Sequence, residues 1–220
     1  MAQQVLDDLL ATLDVQLLAL AQCEVQRGWR LVFPASEAVL VHYALFGEGV
    51  LRVGAADYAF APGKLLITPK EVPQSLAPEE PAREQVVAPD AIFRLNDGLL
   101  SFVAGQRGDL VVACGAISAS YGGGLGFFDL LSEPLVEDLG DCPAMGQMLD
   151  ELRRPAFGTR AMTEALMKQC LILTLRSHLE RMGPQAHLFG ALQEPRLVRS
   201  ISAVLAQPAA VTGTGLSAPG

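Results

Sequence analysis

The residues able to do chemistry are few and scattered. Four cysteines, Cys23, Cys114, Cys142 and Cys170, include no pair in C-x-x-C spacing. That spacing offers no structural zinc site, and in a reducing cytosol such cysteines stay free thiols. His42 is the one imidazole in the apolar run VLVHYALF (39–46). It reads either as a group aimed at a ligand or as a core histidine bonded to a backbone carbonyl. The glycine-rich run Tyr121–Gly126 lacks the Lys-Ser/Thr of a phosphate loop and reads as a β-to-α connection. No G-x-S-x-G elbow occurs. The acidic doublets Asp7-Asp8 and Glu79-Glu80 sit in polar context and read as solvated surface rather than an acid–base pair.

Composition narrows the classes. The chain has 220 residues, half of them hydrophobic and 18% charged, with a formal net charge of −8. A chain this apolar can bury enough surface to offset its ordering entropy, which excludes disorder. Residues 1–140 carry 8 Lys/Arg against 18 Asp/Glu, a balance of −10, and residues 141–220 carry 8 against 6, a balance of +2. Neither part has the dense basic stripe with which a nucleic-acid binder neutralises phosphates. No apolar run reaches the ~18 residues that a membrane helix needs. The opening MAQQVLDDLL carries acids where a secretory leader carries bases. The expectation is a cytoplasmic protein without a membrane partner.

The elements that must position these side chains change character along the chain. Residues 3–13 read as a short amphipathic helix. Short apolar runs follow at Val15–Ala21, Trp29–Phe33, Ala38–Leu45, Gly49–Val53, Tyr58–Phe60 and Leu65–Thr68, separated by Gly, Pro, Ser and Asp. His42 lies on a strand apolar on both faces, as befits a central strand. The segment 75–85 reads as a surface loop, and strands resume at Leu99–Ala104 and Leu110–Ser118. From about residue 140 the pattern is helical: Cys142–Arg154, Thr159–Met182 and Glu194–Ala206, ahead of a small, polar tail at 207–220. Leu166, Cys170 and Leu173 make one apolar stripe that ends at Ser177. On a monomer such a stripe is a partner surface, so a homodimer through 159–182 is expected. The fold class is α+β. An antiparallel β-barrel or jelly roll over 1–140 is followed by a helical dimerisation and linker segment over 141–206.

Several short segments, taken in order, point further. Trp29 precedes a strand; His42 stands five residues before Gly47 in HYALFGEG; APGKLLITP (61–69) and VVACGAI (111–117) follow; EPRLVRSISAVLAQPA (194–209) closes the series. Together they resemble the cupin-type sensor domain of AraC-type transcription regulators over roughly residues 1–209. Two departures are informative. A metal-binding cupin offers an H-x-H cluster, a Glu, and a second His after a P-x-G turn. Here His42 is alone, and Gln74 follows Pro69–Pro73 where that second His would stand. One imidazole and one amide suit a divalent metal poorly, so no metal and no cofactor are expected. An AraC-type regulator also continues with two helix-turn-helix units. DNA contact is therefore expected only through a region missing from this sequence.

What the resemblance implies is a ligand- or redox-sensing regulatory domain without catalysis, with His42, Trp29 and Gln74 as ligand contacts. At Cys23 and Cys114 the chain is similar to a subgroup that senses reactive chlorine, and the alternative for both is burial as small apolar residues. Arg27 and Arg30 beside Cys23 favour its thiolate, while Glu24 opposes it, and Cys114 has no charged residue within four positions. The expected order is Cys23 and Cys114 ahead of Cys142, a helix start, and Cys170, a packing residue. The rival readings are a stand-alone cupin enzyme using His42 and a dimerising inhibitor of full-length relatives.

Overall fold

The computed structural model describes residues 10–182, apart from 12, 95–98, 107, 122–124, 127 and 129–130. The expected helix over 3–13 lies almost wholly outside the described residues. The helix at 194–206 and the tail lie entirely outside them.

Thirteen strands are described: β1 (Asp14–Val25), β2 (Trp29–Phe33), β3 (Val39–Phe46), β4 (Gly49–Val53), β5 (Ala56–Phe60), β6 (Lys64–Thr68), β7 (Gln74–Ala77), β8 (Glu84–Val87), β9 (Ile92–Arg94), β10 (Leu100–Ala104), β11 (Leu110–Tyr121), β12 (Leu125–Gly126) and β13 (Leu135–Asp138). Two helices, α1 (Pro143–Arg153) and α2 (Thr159–Met182), follow. The strands form an eight-stranded sheet, ordered β13-β6-β3-β11-β1-β10-β9 with β12 on β11, and a five-stranded sheet, ordered β5-β4-β7-β2-β8. The expected α+β class with a jelly-roll body is what the structure shows. The sheets are two open faces of a sandwich and do not close into a barrel, and two of the pairings, β1·β10 and β2·β8, are parallel. The expected loop over 75–85 is shorter, because β7 and β8 occupy its two ends. Part of the run read as a β-to-α connection, Leu125–Gly126, pairs back onto β11.

Period-two alternation assigns each central strand to two cores. Along β3, Val41 and Tyr43 face the helices, whereas Ala44 faces the smaller sheet. Along β6, Leu65 and Ile67 face the helices and Leu66 the smaller sheet. The large sheet is thus the middle of three layers. β1 breaks the alternation. Val15 belongs to the helix-side core, but after a bulge between Leu17 and Ala19 the helix-side residue is Leu20, and Ala21, Cys23 and Val25 face the sandwich interior.

α1 begins where Pro143 supplies a fixed φ at the first turn. It buries Ala144, Met145, Met148, Leu149 and Leu152 on one face. α2 buries Thr163, Leu166, Met167, Cys170, Leu171, Thr174 and Leu175, an i, i+3, i+4, i+7 progression. This corrects the expected dimer seam. Leu166 and Cys170 are buried in the chain's own core, and Leu173 packs half-buried against it. Beyond Leu175 the face turns polar: the Ser177 hydroxyl donates to the buried Glu137 carboxylate (2.8 Å) on β13. Because the helices share a core with the large sheet, the change of grammar near residue 140 separates strand from helix but not one core from another. Among the described residues, no helix is long and apolar enough to cross a membrane.

Candidate functional site

Register brings the site together. Cys114 on β11 lies directly opposite His42 on β3. Cys23 on β1 lies opposite Val112 and so diagonal to Cys114, on the same face because of the β1 bulge. Gln74, at the start of β7, reaches across from the smaller sheet.

The side chains form one continuous polar chain. Gln74 Nε2 donates to Thr68 Oγ1 (2.7 Å), and Thr68 Oγ1 donates to the Leu40 carbonyl (3.2 Å). That leaves Gln74 Oε1 to accept from His42 Nε2–H at 2.7 Å. His42 Nδ1 is then the unprotonated nitrogen, and it faces Cys114 Sγ at 3.2 Å as the acceptor of the thiol proton. Cys23 Sγ donates to Cys114 Sγ at 2.9 Å, and both are free thiols. From Cys23 to Leu40 every donor points the same way. His42 and Thr68 are fully buried, and Gln74 is 3% exposed, so each lost link would strand a polar group in apolar surroundings.

Burial sets the electrostatics. It lowers the His42 pKa to about 4, against a smaller upward pull from the Gln74 hydrogen bond, so the ring is neutral at pH 7. Burial, with the contact from Cys23, pushes the Cys114 thiol well above the usual range. The resting state is therefore a thiol beside a neutral imidazole, not a preformed ion pair. The expected help from Arg27 and Arg30 to Cys23 is corrected. Arg30 pairs with Glu80, and Arg27 lies near Glu79 with its backbone N–H on Asp109.

His42 and Cys114 line a cleft of about 400 Å³ walled by Ala21, Phe33, Leu40 and Phe102, within the range that holds small organic ligands. Phe33 tilts against the His42 ring at 5.7 Å and meets Phe102 edge-on at 6.2 Å. Trp29, expected as a ligand contact, is not there. It packs half-buried against the sandwich core beside Gly105, and Phe33, four residues along β2, takes the aromatic position. Reading the sequence missed Phe33, Phe102 and Thr68. Alternation from Leu31 would have flagged Phe33, but nothing local marks Thr68. With both His42 nitrogens engaged, and no group of three His, Cys, Asp or Glu gathered among the described residues, the donor set does not fit a divalent metal ion.

A family model described as Cupin matches residues 4–180, most of the chain. The chain belongs to the Cupin family. A search of curated proteins gives no match. Among solved structures, this cupin is similar to three ToxT structures from Vibrio cholerae. An apo ToxT variant shows a TM-score of 0.39 at 7% identity, over 87% of this chain and 75% of that one. Wild-type ToxT bound to an unsaturated fatty acid shows 0.37 at 11%, over 86% and 63%. A further ToxT structure shows 0.36 at 8%, over 89% and 74%.

A second cluster ties this cupin's layers together. Tyr43 Oη on β3 donates to the Gly140 carbonyl (2.7 Å) and accepts the Cys142 N–H (3.1 Å), pinning the loop that enters α1. Gly63 (φ +87°) backs that loop so closely that a Cβ would lie 2.8 Å from Gly140 Cα. At the far end of α2, His178 Nδ1 (2.8 Å) and Arg181 (2.6 Å) join Ser177 on Glu137. Burial alone would raise that carboxyl, but these donors hold it below its usual value.

Proposed function

We propose that this cupin is a regulatory sensing domain of the AraC type, answering a small apolar molecule or an oxidant in the cleft that His42 and Cys114, the middle of the Cys23–Cys114–His42–Gln74 chain, line. The observation that carries the reading is the uniform donor direction of that chain, which leaves an unprotonated His42 nitrogen facing a thiol beside an apolar cleft. On this reading the domain is not an enzyme and works in the cytoplasm, where thiols rest reduced. A homodimer, if the AraC likeness extends so far, would use the exposed side near Phe157 and Met162 rather than the buried Leu166–Cys170 stripe.

With hypochlorous acid as signal, His42 Nδ1 takes the Cys114 proton and the thiolate attacks chlorine. An S–Cl bond forms, the O–Cl bond breaks, and hydroxide leaves. Cys23 sulfur then attacks Cys114 sulfur, expelling chloride and releasing its own proton. The two thiols lose two electrons and chlorine is reduced to chloride. The output path is short. Gly115, next to Cys114, has no side chain on its helix face, and an ideal Cβ there would stand 3.3 Å from the Met167 methyl of α2. A shift of β11 is therefore felt directly by α2, provided the two states differ in their packing there.

The test is a brief hypochlorite pulse on the full chain, followed by peptide mapping and hydrogen exchange. A Cys23–Cys114 link with altered protection in α2 is expected, slowed in Gln74→Ala, where the tautomer is no longer fixed. A pulse that leaves both thiols reduced, together with unchanged α2 exchange when apolar small molecules are added, would sink the sensing reading. A second reading rests on the same thiol, imidazole and amide, which is also the order of nucleophile, base and orienting group in covalent catalysis. Multiple turnovers of an acyl substrate, abolished by Cys114→Ser, would favour that enzyme.

A further inference from the structure

We infer that Cys142 and Cys170 form a second oxidisable dithiol, closed to an intrachain disulfide by a two-electron oxidant of the peroxide class, at the seam where α1 and α2 meet the large sheet. The inference does not rest on the sensing reading, since it concerns a different pair on the opposite face of the sheet.

Geometry carries it. The two sulfurs stand 3.7 Å apart and are free thiols, so closure to the ~2.05 Å of a disulfide requires a small approach. The partners differ in setting. Cys170 lies mid-helix, fully buried, its carbonyl accepting from Thr174 Oγ1 (2.8 Å). Cys142 is the N-cap residue of α1, its backbone N–H held by Tyr43 Oη. With both backbones held, closure is a matter of side-chain rotation.

Access is also one-sided. Cys142 lines a cleft of about 390 Å³ with Pro62, Gly63, Gly140 and Asp141. Cys170 does not line it. Both sulfurs are buried, Cys142 at 3% exposure, but Cys142 is the one beside the cleft, so an oxidant that enters the cleft meets it first and Cys170 is placed to resolve. The environment agrees. The contact from Cys170 and the Ala144 and Met145 amides at the helix start draw the Cys142 thiol below the usual range, against burial. The same contact, together with burial, pushes Cys170 up.

The step balances. Cys142 thiolate attacks one peroxide oxygen, an S–O bond forms, the O–O bond breaks, and hydroxide leaves. Cys170 sulfur then attacks Cys142 sulfur, the S–O bond breaks, and the hydroxyl departs as water with the Cys170 proton. Two thiols lose two electrons and the peroxide is reduced.

The experiment treats the full chain with millimolar hydrogen peroxide, blocks residual thiols under denaturing conditions, and maps the peptides by mass spectrometry. The expected product is a linked Cys142–Cys170 peptide pair, formed equally in the Cys23→Ser/Cys114→Ser variant. Cys170→Ser is expected to stop at a Cys142 sulfenic acid that dimedone traps. The linked pair is sought first in the unsubstituted chain, so a misfolded variant does not remove the test. Recovery of both cysteines fully blocked, Cys142 linked to a different cysteine, or oxidation of Cys170 with Cys142 unmodified would each overturn the inference.

Discussion

Both faces of the large sheet are buried, and they are built on different terms. The helix-side face is filled by shape: Val41, Ile67 and Leu135 of the sheet meet Met145, Met148, Met167 and Leu171 of the helices. The sandwich face spends part of its interior on a chain of polar groups, each satisfied by the next. Shape packing tolerates no voids, whereas a polar chain tolerates no missing partner. The first face makes the helices part of the domain. The second gives it a directed chain of donors along which a proton can pass.

The comparison can be broken first where packing alone acts. Met167→Ala leaves a cavity against Gly115 and is expected to cost ~2–5 kcal/mol in urea unfolding. A loss below about 1 kcal/mol would mean that the helices hold on by something other than that contact.

On the sandwich face the sharper probe is pH. The unfolded His42 takes up a proton near 6.5, whereas the folded one does so only near pH 4. Below pH 6.5 the unfolded chain binds a proton that the folded one refuses, so stability declines as pH falls toward 4 and the contribution levels off beneath it. By pH 4 the loss approaches about 3 kcal/mol. Glu137, held low by its donors, also loses stability on acidification, so the quantity to measure is the difference between the native chain and His42→Gln. Parallel pH curves for the two would remove His42 as the cause.

Gln74→Leu should cost ~1–3 kcal/mol at pH 7, since it strands the His42 Nε2–H. The His42 ring carbon signals should report a changed tautomer. A neutral result would show that the two sheets do not depend on this link.

The smallest effect is expected outside both faces. Phe157→Ser and Met162→Ser should leave Tm within about 2 °C, as surface changes do. They should also lower any self-association seen by sedimentation velocity. Association that survives them places the contact elsewhere.

How much of this could be read in the residues follows from range. β2, β4 and α2 were legible to the residue, because alternation and helical spacing are local. The central place of β3 was legible in its two apolar faces, although not the helical layer and smaller sheet that cover them. His42, Gln74, Cys23 and Cys114 were each visible, but their contact was not. It depends on strands 32 to 91 residues apart in sequence and on a bulge that period two does not announce. Trp29 was misjudged because a large aromatic draws attention, while the cleft is set by strand phase. The Leu166–Cys170–Leu173 stripe was seen correctly as apolar and assigned to the wrong neighbour. Helical spacing shows that a face is covered and does not show by what. Glu137 gave no local sign, since its three donors lie about forty residues later.

The bulge at Leu18 makes β1 two half-strands with separate obligations. Residues before it serve the helical layer, and residues after it serve the sandwich, although one ladder with β11 runs through both. Such a strand accepts many substitutions and resists a residue inserted beside the bulge. Deleting Leu18 would straighten the ladder and leave both faces intact, since Val15 and Cys23 would then stand an odd number of residues apart, on opposite faces by plain alternation. An inserted residue would instead set the halves at odds, for if Val15 keeps its place Cys23 turns toward the helices, and if Cys23 keeps its place Val15 turns away from them. Lineages of this chain should therefore vary freely in side chain along β1 while gaining no residue in it.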